Sequence, residues 1–420
     1  MKIGQFAKHN NVSIDTIRHY IDLNLIFPEK ISSYYNFDQA CQNDFDDLIH
    51  LKALGFTLGE ISKILLYKRI GNLTDVEKRD SFLSFFKTKY DWVNREIESL
   101  LTTKEGLQEA IEKFSESKPS TKRVKGLSLQ GLDLLYCPHC QTKLITESGQ
   151  IVHNTIFNGR LICHGCDEAY QLEIIDGILI STELIPDTAI DLTHLASDAS
   201  ETYIDQYLRS TDSDYLQKLY ASLQWSARHN CFDHLKDGDV SLELGSGHGY
   251  FLRYHLELFN KDMFYVAVDH DIEKLIWLKS ILDQQETRLK ILYICSDFKE
   301  IPLANQSVDL LLDISGSSNY AFDHTDFLLN DLVPMLKNQA MFHGYYILFE
   351  KFAKNSTVAL AARSNFKLES VKLALAQLNL DLINEYISPP VTKGGPMENY
   401  FVSGESVFTY IVNGKFKPLG

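Results

Sequence analysis

The sequence predicts a multidomain protein. It should contain a small α-helical unit with a helix-turn-helix, a long helix, a small β unit on four cysteines, and a doubly wound α/β domain. Three observations carry this. Short helical patterns separated by turn residues lead into a seam of apolar residues at alternating steps of three and four. Two C-x-x-C pairs follow, 22 residues apart. Beyond them, apolar strand-like runs end in glycine turns or carboxylates.

A chain of 420 residues is long enough for two to four domains. Apolar content of 45% and charged content of 23% are those of a globular protein. No apolar run approaches the roughly 20 residues that cross a bilayer, and the start has no signal-peptide core, so a cytoplasmic protein with no membrane partner is expected. Residues 1–126 hold 19 Lys+Arg against 18 Asp+Glu, and the remainder holds 22 against 38. The acidic second part is a poor match to a phosphate backbone.

In residues 1–72, Ile3, Phe6 and Ala7 make one apolar helix face. After the turn at Asn10-Asn11, Ser13 is the N-cap of a second helix through Tyr20. Two short helices in this arrangement can place the second in a major groove. A Tyr-rich hairpin, Ser33-Tyr34-Tyr35-Asn36-Phe37, comes next, then a helix pair over 44–54 and 58–67. Ile3-Gly4-Gln5-Phe6-Ala7, Val12-Ser13-x-x-Thr16-Ile17-Arg18-x-Tyr20, Leu25-Ile26-x-Pro28 and Leu54-Gly55-Phe56-Thr57-Leu58-x-Glu60-Ile61 stand in order. On these motifs the segment resembles the DNA-binding domain of the MerR family of regulators. The resemblance implies a winged helix-turn-helix that meets double-stranded promoter DNA through Thr16, Arg18 and Tyr20, with Tyr34 and Tyr35 in the wing. That wing departs from the family's Gly-Tyr-Arg-x-Tyr: its arginine is missing. A helical protein-interaction domain is the other reading.

Residues 73–118 predict one long helix. Leu83, Phe86, Tyr90, Val93, Ile97, Leu100, Leu107, Ile111 and Phe114 form a heptad seam that only Lys104 interrupts. From Leu83 to Phe114 the seam spans roughly 45 Å, too long to bury inside a small domain, so a coiled-coil homodimer is expected. An amphipathic helix packed on its own chain is the alternative. MerR relatives dimerise through an antiparallel helix placed here. Residues 119–134 read as a polar linker.

Within 135–185, Cys137-Pro138-His139-Cys140 and Cys163-His164-Gly165-Cys166 have the spacing of two zinc knuckles. Four thiolates around Zn²⁺ leave no open position, so the metal should be structural. His139 and His164 lie inside the knuckles as competing ligands. A redox pair or chance spacing is the other reading. The order of Cys-Pro-x-Cys, Leu144, Cys-x-x-Cys, Tyr170 and Ile175-Asp176-Gly177-Ile178 looks like the zinc ribbons that accompany certain tRNA, rRNA and protein methyltransferases.

Residues 195–420 predict a Rossmann-like α/β domain. The strand Val240–Leu244 runs into Gly245-Ser246-Gly247-His248-Gly249, where glycines allow a tight turn and close approach of a ligand. Asp269 ends the next strand, 20 residues after Gly249, where a carboxylate reaches ribose hydroxyls in doubly wound folds. Two more strands end at Asp297-Phe298 and at Asp313. The set resembles class I S-adenosylmethionine-dependent methyltransferases, whose first motif is Glu243-Leu244-Gly245-Ser246-Gly247-His248-Gly249 here. By that resemblance Gly245 and Gly247 cradle the amino-acid end of the cofactor, and Glu243, Ser246 and Gly249 belong to the same cofactor site. Asp269 binds the ribose, and Asp297 and Phe298 take the adenine. Asp313 and Tyr320 stand where the family contacts substrate and are the catalytic candidates. Asp313 also reads as an ordinary strand-end carboxylate. The region 203–228 reads as a cap on the site.

Together these readings point to a dimeric promoter-binding regulator. Its methyltransferase domain would act on a small molecule that also serves as signal. Two further readings fit the same residues: a non-catalytic sensor of the cofactor, and an RNA or translation-factor methyltransferase with a targeting domain.

Overall fold

The computed structural model describes residues 1–31, 34–71, 75–115, 125–166, 170–184, 206–229, 232–395 and 398–417, with side chains in the segment 71–81 outside the description. Ser33 of the wing, residues 119–124 of the expected linker and 203–205 of the expected cap lie outside these ranges. The chain divides into two units, Met1–Lys118 and Pro119–Gly420. No described helix is long and apolar enough to cross a membrane.

In the first unit, α1 (Ile3–His9) and α2 (Ile14–Asp22) form the helix-turn-helix. Ser13 caps α2 by accepting the Thr16 N–H at 3.0 Å. Strands β1 (Glu29–Ile31) and β2 (Tyr34–Asn36) pair antiparallel as the wing. Asp38 caps α3 (Gln39–Ala53). A reciprocal capping box opens α4 (Leu58–Gly71): Thr57 N–H donates to Glu60 Oε2 at 2.7 Å and Glu60 N–H donates to Thr57 Oγ1 at 3.3 Å. Phe6, Ile17, Leu25, Ile26, Phe37, Leu48 and Ile61 close one core. Then α5 runs without interruption for 41 residues, Asp75–Ser115. Its seam is bare in the single chain: Tyr90 is 68% exposed, Leu100 66%, Ile111 65% and Phe114 78%.

The second unit is built on a twelve-stranded sheet among the described residues. Its centre is five parallel strands: β8 (Val240–Leu244), β9 (Phe264–Asp269), β10 (Lys290–Cys295), β11 (Val308–Ile314) and β12 (Leu336–Lys351). The last strand, β14 (Ser406–Phe416), runs antiparallel between β12 and β13 (Leu380–Ile387). The spatial order from β10 is β10-β9-β8-β11-β12-β14-β13. This is a doubly wound, Rossmann-like mixed sheet with one reversed strand. Strand order reverses at β8, and ligands in open α/β sheets bind at the carboxyl ends of strands at such a reversal.

Two domain boundaries differ from the sequence reading. Residues 135–185 were expected as a separate ribbon, but their strands extend the same sheet. β4 (Ile145–Val152), β5 (Thr155–Ile162), β6 (Gln171–Ile175) and β7 (Ile178–Ser181) pair in turn, and β7 then pairs parallel with β10. Ile178, Leu179 and Ile180 are all buried, as both faces of an interior strand must be. Leu127–Ser128 and the 3₁₀ turn Leu129–Leu134, expected as linker, are also built in, because Leu127 pairs with Ile156 and is buried.

Candidate functional site

The reversal point is built from β8 and its loop. Gly245, Gly247 and Gly249 all have positive φ, at 73°, 51° and 66°. A Cβ on Gly249 would meet Leu278 Cδ1 at 2.2 Å, and one on Gly245 would press on Gly316 at 3.3 Å. The loop is tied to the end of β9. Gly245 and Ser246 N–H donate to Val268 O at 2.9 and 3.0 Å, and Gly247 N–H donates to Asp269 Oδ2 at 2.8 Å. Asp269 Oδ1 accepts the Asp271 N–H at 3.0 Å. Two backbone donors thus fix a carboxylate that is 5% exposed. Each oxygen has a further lone pair for a hydroxyl.

Glu243 is wholly buried, and neither carboxylate oxygen has a hydrogen-bond partner. Burial pushes its carboxyl up to about 7, with the nearby Tyr265 and Ser246 hydroxyls holding it partly down. An orphaned carboxyl beside a glycine loop fits a ligand that brings a positive group to the loop. On β10, Cys295 stands beside Asp269 in register. Asp297 follows in the exposed turn, accepting the Lys299 N–H at 2.8 Å, and Phe298 beneath it is 8% exposed.

The two catalytic candidates have separate surroundings. Asp313 sits beside Leu244 in register and is wholly buried. Its Oδ1 accepts the Ser317 N–H at 2.8 Å, its Oδ2 has no partner, and burial pushes it up to about 6. Tyr320 stacks on His324 at 3.9 Å, with its hydroxyl 3.0 Å from Asp326 Oδ2. Lys299 lies over the Tyr320 ring at 5.3 Å, so this tyrosine stands on the side of the Asp297 turn.

The region read from the sequence as a cap carries a buried cluster over β12 whose residues that reading did not single out. Helix α6 (Ser213–Arg228) buries Tyr215, Lys218, Ser222 and Ser226 along one face. Ser226 Oγ lies 3.1 Å from His343 Nε2, and Tyr345 OH donates to Ser222 O at 2.7 Å, so the helix runs antiparallel to β12. Its first turns reach the carboxyl edge, where Tyr215 OH meets Tyr400 OH at 2.7 Å. Lys218 is 5% exposed with Nζ 4.3 Å from the Tyr215 ring centre. Burial pushes Lys218 down to about 8, opposed by the Glu398 charge. Glu398 Oε2 accepts the Gly395 N–H at 2.9 Å. Tyr207 packs 6.2 Å from Tyr250, the first residue of the helix after the glycine loop. The available signal was a lysine at a core position of an amphipathic helix.

The four knuckle sulfurs, of Cys137, Cys140, Cys163 and Cys166, lie within 4.8 Å of one another. Cys137 and Cys166 Sγ are 3.8 Å apart and Cys140 and Cys163 Sγ 3.4 Å. A tetrahedron with 2.3 Å metal–sulfur bonds has edges of about 3.8 Å, so the donor set fits a closed four-coordinate metal. His139 Nε2 instead lies 2.8 Å from Glu300 Oε2.

On α2, Arg18 is exposed and bonded to Asp15 at 3.0 Å, and Thr16 Oγ1 lies 2.8 Å from Ser13 Oγ. Tyr34 is 46% exposed in the wing and Tyr35 is half-buried beside it. Tyr20, expected at the DNA face, is 4% exposed with its ring 6.3 Å from Phe45, because the end of α2 turns into the core.

Residues 1–68 match the MerR HTH family of regulatory proteins. No curated protein matches the chain. Solved structures similar to it include phosphoethanolamine N-methyltransferase 2 of Haemonchus contortus with phosphomonomethylethanolamine and S-adenosylhomocysteine, at 13% identity and TM-score 0.35. That match covers 47% of this chain and 53%, about half, of the other. A SAM-dependent methyltransferase from Aquifex aeolicus is similar at 15% identity and TM-score 0.34, over 54% of this chain and 100% of the other.

Proposed function

We propose, from the premise that one chain joins a MerR HTH domain to a Rossmann-like methyltransferase sheet, that the protein is a dimeric promoter-binding regulator. Its second unit binds S-adenosylmethionine and methylates a small molecule that is also its signal. Such a regulator works where promoter DNA is, in the cytoplasm.

The observation that carries the cofactor reading is the orphaned Glu243 beside a glycine loop pinned to Asp269. Glu243 would face the cationic amino-acid end, Gly245, Ser246, Gly247 and Gly249 would let backbone approach it, and Asp269 would accept from the ribose hydroxyls. Asp297 and Phe298 would take the adenine. S-adenosylmethionine supplies an activated methyl on its sulfonium, so the chain's own work is holding and orienting the acceptor. Helix α6 and Tyr400 pack at the carboxyl end of β12, where Tyr215 shares an apolar cluster with Phe349, Phe401 and Val407, and a cover there would favour a small acceptor over a macromolecule. Zn²⁺ would be held by Cys137, Cys140, Cys163 and Cys166 in a structural role.

Calorimetry on wild type and Asp269→Ala tests the cofactor site. Each charged hydrogen bond is worth roughly 1.5–3 kcal/mol, so affinity for S-adenosylmethionine should fall about tenfold or more. Unchanged affinity rejects the assignment. A second reading, a sensor without catalysis, is favoured by the engaged Tyr320 hydroxyl and the wholly buried Asp313. Methyl transfer to a panel of small phenols and amines separates the two.

A further inference from the structure

The cysteine knuckles pack against one segment that matters for the cofactor: the one that follows Asp297 and Phe298. His139 Nε2 lies 2.8 Å from Glu300 Oε2. Tyr170 OH donates to Glu300 O at 2.9 Å. Tyr136 N–H donates to Pro302 O at 3.1 Å, Leu135 bridges Leu303, and Asn305 N–H donates to Gln141 Oε1 at 2.8 Å. Phe298, Ile301 and Leu303 share one apolar cluster with Leu135, Cys137, Cys163 and Tyr170.

These ribbon residues are bound to the knuckles themselves. His139 stands between Cys137 and Cys140, and Gln141 follows Cys140 with its backbone at φ 57°. The Tyr170 carbonyl accepts the Cys163 N–H at 3.0 Å. The sulfur tetrahedron and the adenine turn are therefore two sides of one packed layer. A metal held by these four sulfurs would order the knuckles, since coordination and local folding are coupled.

We infer that the four-cysteine site and the cofactor site are thermodynamically linked, with His139, Gln141 and Tyr170 as positioning residues that transmit the state of the knuckles to residues 297–305. This rests on the S-adenosylmethionine reading above. The knuckles hold the turn at the height where Asp297 and Phe298 meet adenine. Loss of the metal releases Glu300 and lets the turn drift. Linkage is reciprocal, so the cofactor must also raise the affinity for the metal through the same layer.

The test uses the full-length protein and S-adenosylhomocysteine as probe. Calorimetry compares the zinc-loaded protein with protein stripped by chelator under reducing conditions. Couplings of this kind are typically about 5- to 150-fold, and the stripped protein should bind that much more weakly. In the reverse direction, S-adenosylhomocysteine should lessen the zinc release to a colorimetric chelator that is reached at equilibrium. Tyr170→Phe keeps all four cysteines and should still bind one zinc. It should nonetheless lose part of the affinity and part of the protection from zinc release. It should also discriminate less between S-adenosylhomocysteine and its inosine analogue, a readout that general loosening would leave unmoved. Equal affinity in folded stripped and loaded protein overturns the linkage. So does a Tyr170→Phe protein with wild-type affinity and zinc release, even if the stripped form does not fold. Failure of the loaded wild type to bind the probe is a different result: the cofactor reading falls, and the linkage with it.

Discussion

Glu243 lies wholly buried at the end of β8 with neither oxygen hydrogen-bonded, and its carboxyl is pushed from 4.5 up to about 7. A carboxyl raised in the fold holds its proton more tightly there than in the unfolded chain. Its stabilising effect is present in full below about pH 4.5 and is lost as pH rises through about 7. At about 1.4 kcal/mol per pH unit, the loss is about 3 kcal/mol. Glu243→Gln should therefore melt higher than wild type above pH 7 in the ligand-free protein, with the gap closing towards pH 4.5. It should also bind S-adenosylmethionine more weakly, since the cation then has no counter-charge. Thermal melts across pH, with and without the ligand, check both signs. Asp313, raised by burial to about 6, shifts stability in the same direction and is common to both proteins, so it cancels in the difference.

Helix α5 presents Tyr90, Ile97, Leu100, Leu107 and Ile111 to solvent in a single chain. Burying apolar surface is worth roughly 25 cal/mol per Å², and a seam of heptad spacing gives that surface one geometry in which to meet a second helix. Its first part is anchored: Lys89 Nζ reaches Glu60 Oε2 at 3.2 Å and lies over the Phe56 and Trp92 rings. Leu100→Glu with Leu107→Glu should convert a dimer to a monomer at micromolar concentration without unfolding the first core, which contains neither residue. Sedimentation at two concentrations, with circular dichroism, decides it. A double variant that sediments like wild type removes the seam from the dimer.

At the scale of the whole molecule, the proposed dimer would join two helix-turn-helix domains and two cofactor-binding domains through the α5 seam. A two-fold dimer reads two half-sites related by symmetry. A pocket ligand can change DNA binding only by preferring one of two conformations, with coupling of about 1–3 kcal/mol. Operator affinity should therefore change about 5- to 150-fold between ligand-free and S-adenosylmethionine-bound protein. Arg18→Ala should weaken binding in both conditions and leave that ratio intact. Fluorescence anisotropy on a palindromic promoter fragment measures both. A ratio of one under every ligand condition separates the halves and favours a targeting role for the first unit.

Local chemistry was legible in the sequence wherever a residue type is forced by backbone or ligand geometry. The Ser13 cap, the glycines at positive φ, the carboxylate that ends β9 and the clustering of the two C-x-x-C pairs can each be read from a few residues. So does the periodicity of α5, which determines a seam although not its partner. Only the tertiary structure decided what those parts lie against. Ile178–Ser181 carries no mark in its sequence that it will pair with β10, yet that pairing turns a separate ribbon into an extension of the sheet. Tyr20, expected at a DNA face, lies in the core, and Lys218 packs on Tyr215 near Glu398, about 180 residues along the chain. Burial, the loss of solvent around a charge and the edge chosen by a strand depend on residues distant in sequence. They exist only once the chain has packed.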